Sequence, residues 1–138
     1  MDDLEKIFDD VVKSCKEEKE LKEKYFSNLH TKALEFINSA YKKLLFLNEK
    51  GFKVSKPDDD SMYFYIDYAD GNHSFVSRIT SNFESYTYLG ETRSYPRTDD
   101  GFVVTWVNNN SVKKKYKTLE ELVKVYAKKL RIVNYLVE

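Results

Sequence analysis

The spacing of apolar residues changes twice along this chain, and those two changes fix the class of fold available to it. Between residues 4 and 47 the apolar positions recur at helical spacing. Between 62 and 116 they alternate with polar ones, and from 119 to 133 helical spacing returns. A helix buries a stripe and a strand buries every second residue, so the chain reads as helices, then sheet, then helix. Because the helical and strand runs are segregated, the sheet should be antiparallel with the helices gathered on one face. The expected fold is α+β: two N-terminal helices, a meander sheet of four to five antiparallel strands, and one C-terminal helix packed on the same face. The 138 residues suit a single domain. It is helical over 1–54, sheet-forming over 55–117 and helical again over 118–138.

The first helix is expected over 2–24. Leu4, Ile7, Phe8, Val11 and Cys15 form its stripe, and the run KEEKELKEK extends it as a solvated segment held by i,i+3 and i,i+4 charge pairs, with a disordered or partner-binding arm as the alternative. Cys15 on that stripe is expected to be buried. A second helix over 28–50 carries the broader stripe Leu29, Ala33, Ile37, Ala40, Leu44 and Leu47. Asn28 is a plausible N-cap, although Tyr25 and Phe26 could carry one helix through, and Gly51 stands where a left-handed C-terminal cap belongs. Strands follow at 62–69, 73–81, 83–89, 102–108 and 112–117. DGN (70–72) and NNNS (108–111) mark hairpin turns, and residues 90–101 read as the longest loop. Thr118 with Glu121 three residues on is a capping box, the clearest helix start in the chain.

Composition excludes several classes. The chain has 21 aromatic residues (11 Tyr, 9 Phe, 1 Trp), too many for disorder. A single cysteine excludes an internal disulfide and the Cys-rich zinc patterns. The acidic start MDDLEKIFDD lacks the apolar run of a signal peptide, and no stretch is long and apolar enough to span a bilayer, so a soluble cytoplasmic protein is expected. No phosphate-binding glycine loop, nucleophile elbow or HExxH occurs. His30 and His73 fall in different elements, and Asp58, Asp59 and Asp60 lack the spacing of a calcium loop. No enzyme activity, metal or cofactor is expected.

Two features point toward binding. In VKKKYK, Lys113, Lys115 and Lys117 share one strand face, which protects a sheet edge from pairing with a foreign strand. The same lysines are candidates for phosphate contact. Residues 112–138 carry eight Lys/Arg against three Asp/Glu, but residues 55–101 carry four against nine, and the chain nets to zero. Nucleic-acid binding usually shows a dominant basic footprint, so it is the second reading. The other feature is a set of tyrosines. Tyr63 and Tyr65 share one strand face and Tyr86 and Tyr88 another, and an open tyrosine-lined sheet makes a protein-binding surface. Tyr63, Tyr65, Tyr86, Tyr88, Arg93, Tyr95 and Arg97 are therefore the candidate partner-binding residues. Val125, Ile132 and Leu136 lie off the main stripe of the last helix and are candidates for a homodimer contact.

In size and composition the chain is similar to the small proteins of phages and mobile elements that act by binding, such as inhibitors of host defence. That likeness rests on no motif and carries no residue across. The tyrosine-rich open face, the acidic middle of the chain and the lack of catalytic motifs lead to the expected function, a non-enzymatic protein-binding module that inhibits or modulates another macromolecule. The alternative is a nucleic-acid or nucleotide binder using the Lys/Arg and Tyr surface.

Overall fold

A computed structural model describes residues 3–58, 61–70, 74–107 and 112–137, with side chains as far as residue 130 in the last helix. The fold is α+β, with a long N-terminal helix, antiparallel sheet and a C-terminal helix. One helix, α1 (Asp3–Leu44), replaces the two expected, and a 3₁₀ turn at Leu45–Lys50 continues it. No Gly or Pro interrupts residues 3–44, so nothing in the backbone requires a break at Asn28. Gly51 ends the segment as expected, with φ of 100° and its N–H donating to the Leu47 carbonyl.

The strands are β1 (Lys53–Ser55), β2 (Phe64–Ala69), β3 (Ser74–Thr80), β4 (Phe83–Tyr88), β5 (Glu91–Pro96), β6 (Phe102–Trp106) and β7 (Val112–Tyr116). Five of them form the main sheet in the order β1-β2-β3-β6-β7, every neighbouring pair antiparallel. The expected meander is thus present but interrupted. β4 and β5 leave the main sheet as a separate hairpin, and β5 occupies the first half of the expected 90–101 loop. Ser81 and Asn82 anchor the hairpin's base: Ser81 Oγ donates to the Arg97 carbonyl at 2.7 Å, and the Arg97 N–H donates to the Asn82 carbonyl at 2.8 Å. β1 is too short for alternation to reveal it. It is held instead by Asn48, whose Oδ1 accepts the Val54 N–H at 2.8 Å.

One face of the main sheet carries the core. Phe64, Ile66, Ile79, Val104, Trp106 and Tyr116 meet Ile37, Ala40, Leu44 and Leu47 of α1. The final helix, α2 (Leu119–Val137), adds Leu122 and Tyr126 to the same cluster. Its start is held as the capping box requires, since Thr118 Oγ1 accepts the Glu121 N–H at 3.2 Å. The Glu121 carboxylate accepts the Lys117 N–H at 2.8 Å. Each large apolar side chain buried this way stabilises the fold by about 1.5–3 kcal/mol before entropy is counted. A smaller cluster binds the β4–β5 hairpin to α1 through Phe26, Ala33 and Tyr95, with Tyr25, Leu29 and Met62 around it. That cluster is why α1 runs straight through residues 25–29. The hairpin, not a second helix start, uses those aromatic side chains.

Candidate protein-interaction site

Residues 3–21 of α1 are all exposed. At 1.5 Å per residue, residues 3–24 form an arm about 33 Å long. The stripe read from the sequence is present on it, but nothing among the described residues covers it: Leu4 is 82% exposed, Ile7 58%, Phe8 67% and Val11 56%. Cys15 is exposed with them rather than buried. Helical geometry of about 100° per residue places Asp3 and Asp10 on one border of the stripe, Glu5 and Lys16 on the other, and Asp9, Lys6 and Lys13 behind it. Sequence reasoning found this stripe and assigned it to the core, because spacing reports amphipathicity and not what lies opposite.

The second open surface is the far face of the main sheet. Strand register sets Ser55, Tyr65, Arg78, Thr105 and Lys113 side by side across all five strands. Lys53, Asp67 and Val76 form a parallel row. Tyr63 and Tyr65 meet edge to face at 5.5 Å, and the Arg78 guanidinium lies over the Tyr63 ring at 5.3 Å. Three buried polar atoms of this face have no hydrogen-bond partner among the described residues: Asp67 Oδ1, Arg78 Nε and Thr105 Oγ1. Desolvation raises the Asp67 carboxyl above its usual range, and the nearby Lys53 opposes that shift.

The other candidate tyrosines are elsewhere. Tyr86 and Tyr88 are half-buried against α1, where Tyr88 stacks on Tyr25 at 4.4 Å, and Tyr95 is buried against Phe26. The open four-tyrosine face expected from the sequence is therefore divided, with only Tyr63 and Tyr65 on the free side of the sheet. Arg93 lies over Phe26 at 4.7 Å and pairs with Glu91 at 3.0 Å. Arg97 pairs with Asp99 at 3.2 Å and Glu84 at 3.7 Å. Both arginines thus have carboxylate partners within the chain.

β7 is an edge strand, as the alternation of its lysines suggested. Lys115 donates to Asp100 at 2.7 Å, and this bond, helped by one from Asn82, holds the Asp100 carboxyl below the usual carboxylate range. Lys113 and Lys117 are exposed. A separate open cleft of about 680 Å³ lies between α1 and the 56–58 connector and includes Lys42, Lys43 and Lys56 with Glu35 and Asp58. Its three ammonium groups thus face two carboxylates.

Val125 is half-buried and packs against the core, whereas the side chains of Ile132 and Leu136 lie outside the described residues, as do His73, Asp59, Asp60 and both expected turn tips. His30 meets Tyr95 edge-on at 6.1 Å, beside a pocket of about 180 Å³ that also includes Glu23 and Arg93. Among the described residues, no group of three His, Cys, Asp or Glu is placed to hold a metal, and no helix is long and apolar enough to cross a membrane. Comparison with known proteins found no matching family model, curated protein or solved structure, so the functional reading rests on the chain's own geometry.

Proposed function

We propose that this chain is a non-enzymatic protein-binding module, an inhibitor or modulator of another macromolecule, and that the N-terminal arm of α1 is its contact element. One observation carries the reading: a helical arm with four large apolar side chains more than half exposed in a continuous stripe. Solvated helices have no physical need for such a stripe, and contiguous exposed apolar surface belongs to interaction sites. An amphipathic helix offering anchors at i, i+3, i+4 and i+7 suits a groove on a protein. Leu4, Ile7, Phe8 and Val11 have that spacing.

The test places a photo-crosslinking residue at Phe8 in cells that express the full chain. A discrete adduct with a different protein, lost when Ile7 and Val11 are changed to Asp, is the expected result. No adduct, or adducts with copies of this chain alone, overturns the modulator reading. The alternative, nucleotide or nucleic-acid binding, draws on the cleft containing Lys42, Lys43 and Lys56. It requires an anionic ligand to compete with Glu35 and Asp58, and it predicts crosslinks to nucleic acid from that cleft rather than to protein from the arm.

A further inference from the structure

The arm and the open sheet face are complementary in three independent respects. The first is charge. Residues 3–16 of the arm carry Asp3, Glu5, Asp9 and Asp10 against Lys6, Lys13 and Lys16, with all four carboxylates within residues 3–10. The open face carries Lys53, Arg78 and Lys113 against Asp67, with Lys115 already paired to Asp100. Arg78 and Lys113 have no carboxylate partner among the described residues. Asp3, Asp10 and Glu5 border the apolar stripe, so a partner that covers the stripe also meets them.

The second is hydrogen bonding. Arg78 Nε and Thr105 Oγ1, on adjacent strands, are buried without partners among the described residues. Thr105 is only 5% exposed. Buried polar groups are rarely left in this state, and supplying an acceptor removes a desolvation cost already incurred. A carboxylate is a strong acceptor for a guanidinium edge, and it meets Arg78 Nε and Thr105 Oγ1, which have almost no accessible surface, once the side chains over them shift aside. The aromatic rings of the face are less available. One face of Tyr63 is under Arg78, and Tyr65 meets Tyr63 edge-on. This favours a carboxylate-bearing occupant over a stacked nucleobase.

The third is size and layering. Residues 3–16 of the arm span about 21 Å at 1.5 Å per residue. Five strands about 4.8 Å apart span about 19 Å. A helix laid across this face would cover the sheet on its second side, a stable layer arrangement. Exposed Val76 and Val107 would meet the apolar stripe. The arm cannot reach its own open face, because α1 is unbroken from Asp3 and is fixed to the opposite face by Ile37, Ala40 and Leu44.

We infer that two copies of this chain exchange arms, the acidic, apolar N-terminal arm of each lying across the Arg78–Thr105–Lys113 face of the other. The exchange is twofold symmetric and closes on itself, so it makes a dimer and not a fibre. This inference rests on the reading of the arm as a contact element. It adds that, without another partner, the arm's stripe is covered by a second copy.

The test is sedimentation of the purified full chain at high micromolar concentration and low salt. The expected mass is that of two chains, falling toward one as salt rises. Arg78→Glu with Lys113→Glu reverses the face, and Asp3→Lys with Asp10→Lys reverses the charge along one border of the arm. Each double variant alone is expected to sediment as one chain. Mixing the two restores a two-chain species, because each reversed surface then meets its complement, and this recovery shows that both variants had folded. A wild type of one-chain mass, double variants that remain dimeric, or a mixture that stays monomeric overturns the exchange. So does a wild-type monomer shifted only by an added oligonucleotide or acidic peptide. Failure here leaves a crosslink from Phe8 to a different protein untouched, so the two readings fail separately.

Discussion

The phenol oxygen of Tyr126 lies 2.6 Å from Ser77 Oγ, joining the C-terminal helix to the centre of the sheet. Ser77 Oγ in turn donates to the Ile66 carbonyl at 2.6 Å. A hydroxyl has one proton to give, so Tyr126 is the donor in the first bond. Both residues are fully buried. The pair thus carries a continuous polar chain from α2 through β3 to β2, inside a core that is otherwise apolar.

Tyr126 should make the fold sensitive to alkali. Burial raises its pKa well above that of an ordinary phenol. The folded state therefore keeps a proton that the unfolded chain releases above about pH 10. The contribution of this group is complete below that pH and is lost as pH rises toward the folded value. Tyr126→Phe should cost about 1 kcal/mol at neutral pH, for the lost hydrogen bond. It should also lose less stability than the wild type on going above about pH 10. Urea denaturation across that range reads both effects, and parallel curves for the two proteins would remove Tyr126 as the cause.

Leu122 is fully buried between α2 and the sheet, whereas Leu130 is half-buried further along the helix. Leu122→Ala should destabilise by about 2–5 kcal/mol, with Leu130→Ala costing less than half as much. Thermal melts of the two variants measure the difference. Equal losses would mean that α2 is seated more deeply toward its C-terminal end.

The β4–β5 hairpin turns at Leu89 and Gly90, both with positive φ, 48° and 82°. A two-residue turn of this hand suits the twist of the strands but disfavours a side chain such as leucine. Leu89→Asn should stabilise the fold by roughly 1 kcal/mol, since asparagine tolerates that conformation better. A rise in melting temperature checks it, and a fall would show that the exposed Leu89 side chain makes a contact worth more than the backbone relief.

Changing Lys113, Lys115 and Lys117 together to Gln should leave the fold intact, because all three side chains are exposed on an edge strand. Binding to a labelled oligonucleotide, weak for the wild type, should barely change. Tight wild-type binding at physiological salt, with a salt slope reduced by up to about one per lysine removed, would instead place phosphate contact on β7.

Most of the local structure was written in the sequence. Ile37, Ala40, Leu44 and Leu47 declared a buried helix face by spacing, Phe64 and Ile66 declared a buried strand face by alternation, and Thr118 with Glu121 declared where the last helix begins. These are properties of a residue and its near neighbours, governed by backbone geometry, and a linear pattern reports them. Opposition between distant segments is a different kind of fact. The stripe at Leu4, Ile7, Phe8 and Val11 has the same pattern as a core stripe, yet lies bare because α1 outruns the sheet. Tyr86 and Tyr88 have the alternation of Tyr63 and Tyr65, yet Tyr88 stacks on α1 because their hairpin leaves the main sheet after Ser81 and packs against the helix. The row Tyr65–Arg78–Thr105–Lys113 spans 49 positions of sequence and exists only through strand register. Periodicity determined which face of each element is apolar. Only tertiary packing decided which of those faces are covered, because coverage depends on where the chain returns and not on what any segment prefers.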